Sequence, residues 1–307
     1  MKKIMSDIIK NRSEILFLYD IENANPNGDP ANENRPRFDT EDSTAIVSDV
    51  RLKRTIRDYW FEYEGFNGEN GKDIFVRETK YADGDKEYVS DGKRRATAFG
   101  ENKEKVLEMC VDIRVFGGVL PLKNDSITLT GPVQFQIGRS VHQTEVIMEQ
   151  GTGAFASSDK KNQATFRTEY KIPYALIGFN GIINEKAAQY SHMTESDRDL
   201  LLKGIWEGTK NLISRSKFGQ TPIFLMTIHY KDAFYIGNLR QRVKVVSEKN
   251  DLSIRGVEDF KLDLSAVLAE LKLNKDKIAS VDIKCDGRLQ FTSPLKINNG
   301  KLDLDAL

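Results

Sequence analysis

The stretch Ile15-Leu-Phe-Leu-Tyr-Asp-Ile-Glu22 decides the fold, because it is a near-continuous apolar run with the length of one strand. The sequence therefore predicts a central strand here. It leads into a polar loop, rich in Asn, Pro and Gly, that extends from Asn23 to about Val47. Because loops of this length are uncommon in compact domains, we expect the loop to be functional.

The segment after the loop predicts a helix with one apolar and one basic face. Ser48 is suited to cap its N-terminus. At about 100° per residue, the apolar face holds Leu52, Ile56, Tyr59 and Tyr63. The opposite face holds Lys53, Arg54 and Arg57. Most basic helix faces are only solvated, but the few acidic residues beside this one, Asp49 and Asp58, favour contact with phosphate.

The polar loop offers a second kind of contact. Asn23, Asn25 and Asn27 alternate along it, and Gly28 permits close approach of the backbone. Asn side chains and free backbone N–H groups bind phosphate or sugar oxygens. The same residues could instead form Asx turns, and the loop alone leaves both interpretations open. Together with the basic helix face, it indicates a surface that grips a nucleic-acid backbone.

The rest of the chain predicts an α+β fold. Further strands are expected at Val111–Gly118, Ser126–Thr130, Gly131–Gly138, Lys171–Gly181, Thr221–Tyr230 and Ala279–Lys284. Thr194 is expected to cap a helix that contains Leu200 to Ile213, and another helix is expected near Leu264–Leu271. The order strand, helix, strand, strand, helix, strand fits a ferredoxin-like or RRM-like sheet, although other α+β arrangements stay open.

Two polar insertions interrupt this order. Residues from about Glu64 to Lys105 indicate short elements without a second core, and residues from about Arg139 to Lys171 resemble a protruding hairpin. Met148, Phe155 and Phe166 in the hairpin either pack on each other or stack on unpaired bases.

Composition limits the function. The chain has 307 residues, with 46 Lys and Arg and 46 Asp and Glu, so nonspecific electrostatic binding by the whole surface is not expected. No apolar run approaches the roughly 20 residues that span a bilayer, and the N-terminus lacks a secretory signal. Cys110 and Cys285 are in no pairing motif, which indicates a cytoplasmic protein.

We predict no cofactor and no metal. His142, His192 and His229 are not at metal-ligand spacing, and the chain has neither a Walker A motif nor a dinucleotide fingerprint. A two-metal phosphodiesterase site could in principle be assembled from Asp20, Asp29, Asp39, Asp42 and Asp49. Acidic residues are common in loops and caps, so this is the weaker interpretation.

The loop Asp20-Ile-Glu-Asn-Ala-Asn-Pro-Asn-Gly-Asp-Pro30 and the helix Ser48-Asp-Val-Arg-Leu-Lys-Arg-Thr-Ile-Arg57 resemble the backbone subunit of type I CRISPR Cascade complexes, the Cas-seven superfamily. Further similarities to this family, in particular to its I-B branch, are Asp112-Ile-Arg-Val-Phe-Gly-Gly118, Gly131-Pro-Val-Gln-Phe-Gln-Ile-Gly-Arg-Ser140, Ile172-Pro-Tyr174 and Gly208-Thr-Lys-Asn-Leu-Ile-Ser-Arg-Ser-Lys217.

The resemblance implies a single elaborated domain over residues 1–307, shaped like a right hand. Its palm is RRM-like, with fingers at residues 61–110 and a thumb hairpin at residues 139–170. Such subunits polymerise along the guide RNA and flip out a base at regular intervals. Lys53 matches the family lysine on the guide backbone, and Met148 and Phe155 lie where the family places base wedges.

The expected function is therefore a non-catalytic subunit that binds CRISPR guide RNA and presents it for pairing with target DNA in antiviral defence. The expected partners are copies of itself and the Cas-five, large, small and guide-processing subunits, without a membrane. The alternative is a metal-dependent ribonuclease like type III backbone subunits, with Asp29 or Asp39 as the catalytic residue. The residues expected to contact RNA are Asn23, Asn25, Asn27, Gly28, Arg51, Lys53, Arg54, Arg57, Arg139, His142, Met148, Phe155, Phe166, Arg167, Arg215 and Lys217.

Overall fold

A computed structural model describes residues 7–121, 126–156 and 164–307, with the backbone path alone for 152–156 and 164–167. Its strands, in chain order, are β1 (Ser13–Ala24), β2 (Gly28–Asp29), β3 (Arg35–Pro36), β4 (Phe38–Asp39), β5 (Thr44–Val47), β6 (Lys80–Asp83), β7 (Lys86–Val89), β8 (Gly117–Pro121), β9 (Ser126–Thr130), β10 (Val133–Phe135), β11 (Gly138–Ser140), β12 (Ile147–Ala156), β13 (Ala164–Ile183), β14 (Gln220–Tyr230), β15 (Lys244–Val246), β16 (Lys261–Asp263), β17 (Ile278–Cys285), β18 (Ile297–Asn298) and β19 (Lys301–Leu302).

The α-helices are α1 (Asp49–Tyr63), α2 (Gly92–Ala98), α3 (Lys103–Met109), α4 (Val111–Phe116), α5 (Glu185–Ser191), α6 (Glu195–Lys210) and α7 (Ser265–Leu273). Short 3-10 helices occur at Leu239–Arg242, Asp251–Ser253, Val257–Asp259, Lys275–Lys277 and Leu304–Ala306. In the part of the chain that the structure describes, no helix has both the length and the apolar character needed to cross a membrane.

The predicted central strand is confirmed. β1 pairs antiparallel with β13 on one side, where Phe17 lies opposite Phe179, and with β14 on the other, where Phe17 lies opposite Leu225. All three of these side chains are buried. The apolar run thus forms the middle of the sheet, and the polar loop leaves from the end of its middle strand.

The large sheet has the strand order β18-β19-β17-β14-β1-β13-β11-β5-β4, and β10 and β12 also pair with β13. The strand pairs of this sheet are antiparallel. In chain order, α1 lies between β1 and β10, and α6 lies between β13 and β14. The prediction of a mixed α+β chain is therefore confirmed.

Both faces of the sheet are covered. On one face α1 and α6 pack closely at Gly204, where an added Cβ would lie 2.8 Å from Nε1 of Trp60. Ser48 caps α1, and Thr194 caps α6 with a full capping box, both as predicted. The other face packs against the C-terminal part of the chain, where Phe224 of β14 shares a buried cluster with Val267 of α7.

Four local predictions are wrong. Val111–Phe116 is a helix, α4, because a short apolar run does not by itself distinguish a buried strand from a buried helix. The strand expected over Gly131–Gly138 divides into β10 and the start of β11. Tyr63, expected on the buried face of α1, is 59% exposed, and the helix capped by Thr194 ends at Lys210.

The polar insertion was also expected to lack a core, and this too is wrong. Phe75, Phe99 and Val106 belong to a separate buried cluster that includes Ile113 and Leu129 beyond the insertion. The cluster holds α2, α3 and α4 against the β8–β9 hairpin. The apolar residues of this cluster are widely spaced in a segment rich in Gly, Asp and Lys, and for that reason the core was not predicted.

Candidate nucleic-acid interface

The start of α1 is fixed by the polar loop. Oδ1 of Asn27 accepts a hydrogen bond from the main-chain N of Ser48, at 2.8 Å, and Oγ of Ser48 accepts one from the N of Arg51, at 3.2 Å. Asn27, predicted to contact RNA, therefore uses its side-chain oxygen to place the helix. Asn27 thus influences the position of Arg51 indirectly, through Ser48.

Three of the four basic residues of α1 pair closely with carboxylates. Nζ of Lys53 lies 2.9 Å from Asp49, and Nε of Arg54 lies 2.6 Å from Asp58. Arg57 pairs with a carboxylate from α4, discussed below. Asp49 and Asp58 are the two acids that the sequence places beside this face, and they pair with Lys53 and Arg54. Only the carboxylate that pairs with Arg57 comes from another element, which neighbours in the sequence do not show.

Arg57 links α1 to another part of the fold. Its Nε lies 2.9 Å from Oδ2 of Asp112, which is fully buried. The same carboxylate accepts hydrogen bonds from the main-chain N of Phe75 and of Val76. Three donors therefore satisfy one buried charge, and the arrangement joins α1 to the segment around Phe75. Arg57 as an RNA contact stays a prediction.

Arg51 and Lys217 form a different arrangement on the other flank of α1. Nζ of Lys217 donates to the main-chain O of Asn25, and Nη2 of Arg51 donates to Oγ1 of Thr55, at 2.9 Å. Both cations are half-buried, and the closest carboxylate to Arg51, on Asp58, is 4.0 Å away. In the described chain, Lys217 has no ion pair.

The pKa values of the two groups reflect this environment. Burial, and to a smaller extent the positive charge of Arg51, together lower the pKa of Lys217 to about 8. Burial also lowers the pKa of Arg51 from its ordinary value. The free protein thus holds two half-buried positive charges close together, an arrangement that an anion would stabilise.

A cleft of about 370 Å³ lies beside this pair. Its walls come from the polar loop, from the base of the β12–β13 hairpin and from residues 214–216. Asn25 lines the cleft, is 3% exposed and donates its Nδ2 to the O of Asn34, while its Oδ1 has no partner among the described residues. Arg215 pairs with Glu169 at 3.0 Å.

Sequence reasoning missed Arg35 and Tyr170 at this cleft. The guanidinium of Arg35 lies 4.2 Å from the centre of the Tyr170 ring, and its Nη2 donates to the Tyr170 hydroxyl at 2.8 Å. This contact ties the polar loop to the base of the hairpin. An arginine and a tyrosine so far apart in the chain give no local signal.

The remaining loop residues have local roles. Gly28 allows close approach, as expected, but to its own loop: an added Cβ would lie 1.9 Å from Oδ1 of Asn34. Asn23 has a positive φ of 48° and an exposed side chain near the end of β1. Asn is among the residues that tolerate this conformation.

Arg139 and His142 contact other residues than the Arg51–Lys217 pair. Nη1 of Arg139 lies 2.8 Å from Asp39, and this bond lowers the pKa of that carboxyl. His142 is 4% exposed; its Nδ1 contacts the O of Gln143, and its Nε2 accepts from the N of Leu176. Because main-chain groups occupy both ring nitrogens, we leave His142 out of the proposed RNA contacts.

The hairpin residues are partly described. Met148 on β12 is 56% exposed, on the strand pair where it lies opposite Tyr170. The side chains of Phe155, Phe166 and Arg167 lie outside the described residues, so their predicted contacts stay predictions.

The aspartates of the alternative nuclease site do not converge. Asp29 lies 3.3 Å from Arg37, Asp39 pairs with Arg139, and Asp49 pairs with Lys53. Burial raises the pKa of Asp20 to about 7. Among the described residues, no group of three or more His, Cys, Asp or Glu side chains is placed to hold a metal ion.

The fold and this site define a mixed α+β protein with a polar cleft and two half-buried cations at one end of a large antiparallel sheet. The sequence profile of the family described as CRISPR-associated protein Cas7 matches residues 11–265, so the chain belongs to that family. A CRISPR-associated protein Cas7 from Haloferax volcanii is 29% identical over 309 residues, covering 92% of this chain and 88% of that protein.

Two solved structures share the fold. A chain of a CRISPR RNA-guided surveillance complex in a pre-nicking state has a TM-score of 0.53 and 12% identity, covering 91% of this chain and 95% of that one. A chain of another CRISPR RNA-guided surveillance complex has a TM-score of 0.52 and 11% identity, covering 92% and 95%. At these identities the similarity concerns the fold.

Proposed function

We propose that this chain is a backbone subunit that binds CRISPR guide RNA, oligomerises along it and presents it for pairing with target DNA. The observation that carries the proposal is the Arg51–Lys217 pair of half-buried cations: among the described residues Lys217 has no ion pair, and Arg51 has only a long one, 4.0 Å to Asp58. Guide RNA supplies the phosphate that this pair lacks. The similar solved chains come from RNA-guided surveillance complexes, which supports the same role.

The energetics favour a phosphate ligand at this point. Two like charges that have lost part of their hydration destabilise the free protein, and an anion between them relieves both costs. Charge-assisted hydrogen bonds to phosphate are stronger than neutral ones. Phosphate contacts carry no sequence information, which suits a protein that must hold any guide while its bases pair with the target.

The topology supports an RRM-like palm. The chain order β1, α1, β10, β13, α6, β14 and the spatial order β14-β1-β13-β10 are those of a ferredoxin-like sheet. In RRM domains the open sheet face stacks bases, but here the C-terminal part of the chain packs on the face opposite to the helices. We therefore place the RNA at the end of β1, beside the N-terminus of α1.

The remaining parts of the hand follow from the same proposal. Residues 61–110 are the fingers, residues 139–170 are the thumb, and residues 1–307 form one elaborated domain of the I-B type. The proposed partners are copies of this chain, the Cas-five, large, small and guide-processing subunits, and target DNA through the guide. The proposed location is the cytoplasm.

The ribonuclease alternative is not favoured. Its candidate residues Asp29 and Asp39 both pair with arginines, at 3.3 and 2.8 Å. We propose a non-catalytic subunit, and incubation of bound RNA with magnesium checks this: the RNA stays intact. Cleavage that Asp29→Ala or Asp39→Ala abolishes would instead establish the nuclease.

The test of RNA binding uses the double variant Arg51→Gln with Lys217→Gln. Its matched control removes two exposed charges elsewhere, Lys10→Gln with Lys186→Gln. RNA affinity is measured by fluorescence anisotropy from about 50 to about 200 mM salt. Because the two cations hold one phosphate, the plot of log affinity against log salt becomes shallower by about 0.7 for the test variant. Equal slopes in both variants would overturn the proposal.

A further inference from the structure

Arg240 is a half-buried cation to which the proposed guide site assigns no role. It lies in the 3-10 helix Leu239–Arg242, and its aliphatic part crosses β13 at Gly178, where an added Cβ would lie 2.9 Å from Cγ of Arg240. The glycine therefore leaves room for this side chain to lie flat on the sheet. In the described residues, the Arg240 guanidinium has no hydrogen-bond or ion-pair partner.

The charged group that acts on Arg240 is another cation. Arg139 on β11 lies opposite Gly178, so its side chain leaves the sheet on the face that Arg240 crosses. Its Nη1 is bound to Asp39 at 2.8 Å and to Oγ1 of Thr44 at 3.3 Å. Burial lowers the pKa of Arg240, and the charge of Arg139 lowers it further.

A polar cleft begins at Asn180, two residues along β13 from Gly178. The cleft, of about 560 Å³, is lined by the amides of Gln136, Asn180 and Asn238. The carboxylate of Glu14 also lines it and accepts hydrogen bonds from the main-chain N of Ile236 and of Gly237. Asn180 is 7% exposed, and its Oδ1 is buried without a hydrogen-bond partner in the described chain. The surroundings of Arg240 thus combine positive charge with amide groups, which is the chemistry that binds a sugar-phosphate backbone.

This pair and the first one lie on opposite faces of the sheet. Arg51 shares a small pocket with Tyr19 and Phe179, on the helix side. Gly178 faces the other way, where an added Cβ would also lie 3.0 Å from Cδ2 of Leu18. The two sites are close along the β5–β11 pair, because Val47, which lines the first pocket, lies opposite Gly138, next to Arg139.

We propose that Arg240 and Arg139 form a second phosphate-binding site, on the sheet face opposite to the Arg51–Lys217 pair. This inference rests on the proposed function, because it takes the ligand to be a nucleic acid. A phosphodiester neutralises Arg240, and the amides of the neighbouring cleft contact the attached sugar. The phosphate belongs either to a guide strand that passes around the sheet edge or to the DNA strand paired with it.

The test is Arg240→Gln, with Lys244→Gln as the matched control, because Lys244 is exposed and carries the same charge close by. One arm measures binding of single-stranded RNA to the RNA-free chain. The other arm measures binding of complementary DNA to the RNA-loaded chain. A guide phosphate predicts a loss of about tenfold in the first arm, and a target phosphate predicts that loss in the second, each with a salt slope shallower by about 0.7.

A charge-conserving variant separates binding from folding. Arg240→Lys restores at least part of the affinity if the site holds phosphate, whereas a merely structural side chain leaves both variants equally impaired. Unchanged binding in both arms overturns the inference, and so does a variant that impairs only association with protein subunits. The proposed guide site fails separately, through the Arg51 and Lys217 variants, so the two outcomes are distinguishable.

Discussion

The two flanks of helix α1 carry the same kind of residue in opposite circumstances. On one flank Arg57 is bound to the buried carboxylate of Asp112 and is 12% exposed. On the other flank Arg51 lies near Lys217, and its positive charge contributes to lowering the pKa of Lys217. The first flank joins parts of the fold, and the second is prepared for an anion that the chain does not itself supply.

The comparison shows that the number of basic residues on a helix does not identify a phosphate site. A paired buried charge contributes to folding, because removing one partner leaves the other charge buried and uncompensated. A half-buried cation without a closely paired carboxylate lowers the free energy of unfolding of the free protein, and a bound anion offsets that cost. Each prediction below tests whether a residue stabilises the fold or binds RNA.

The largest effect is expected for Arg57→Ala. The variant leaves the fully buried Asp112 carboxylate without its ion-pair partner. The free energy of unfolding should therefore fall by about 3–5 kcal/mol in urea titration. RNA affinity of the fraction that stays folded should change little. A loss of stability below about 1 kcal/mol, with strongly weakened RNA binding, would show that Arg57 binds RNA and contributes little to folding.

The next effect concerns Lys217→Met, which keeps most of the side-chain length and removes the charge. RNA affinity should fall about tenfold, or about 1.4 kcal/mol, because a charge-assisted contact to phosphate is lost. The free energy of unfolding of the RNA-free variant should stay the same or rise, since a half-buried cation has gone. A large drop in stability together with unchanged RNA affinity would show that Lys217 is structural.

A smaller effect should follow pH. The pKa of Lys217 is lowered to about 8 from its ordinary 10.5, so between these values the unfolded chain holds a proton that the folded chain has released. The stability of the RNA-free protein should therefore rise with pH in this window. RNA affinity should decline in the same window as the cation is lost.

The control for this titration is Lys217→Met, because other groups also titrate at alkaline pH. The difference in unfolding free energy between wild type and variant should depend on pH only above about pH 8. A difference that stays constant across the window would mean that the lysine is not half-buried and charged as described.

The smallest effect is expected for Arg54→Ala. Arg54 is exposed and pairs with Asp58 one turn along the helix, so its removal should change the free energy of unfolding by less than about 0.5 kcal/mol. RNA affinity should change by less than the effect at Lys217. A loss of RNA affinity equal to that of Lys217→Met would show that the exposed face of α1 also contacts the guide.

Local patterns made much of the fold predictable. The apolar run of β1 and the caps Ser48 and Thr194 depend on residues a few positions apart, and all three are confirmed. Val111–Phe116 was wrongly predicted because a buried run of six residues fits a strand and a helix equally well.

The site was only partly predictable, because its decisive contacts join distant segments. Lys217, Arg51 and Asn25 were all candidates, but the sequence ranked them equally with Lys53, which pairs with Asp49 on its own helix, and with Arg57, whose carboxylate comes from α4. Whether a cation is paired depends on which loops the sheet brings together. Arg35, Tyr170 and Arg240 had no local signal at all.

The most direct test is a structure of the chain bound to RNA, since the central account is that Arg51 and Lys217 together hold a guide phosphate. The account predicts a phosphate oxygen about 2.7–3.2 Å from Nζ of Lys217 and from the guanidinium of Arg51. RNA that runs along Lys53 and Arg54 instead, with the Arg51–Lys217 pair away from any phosphate, would contradict it.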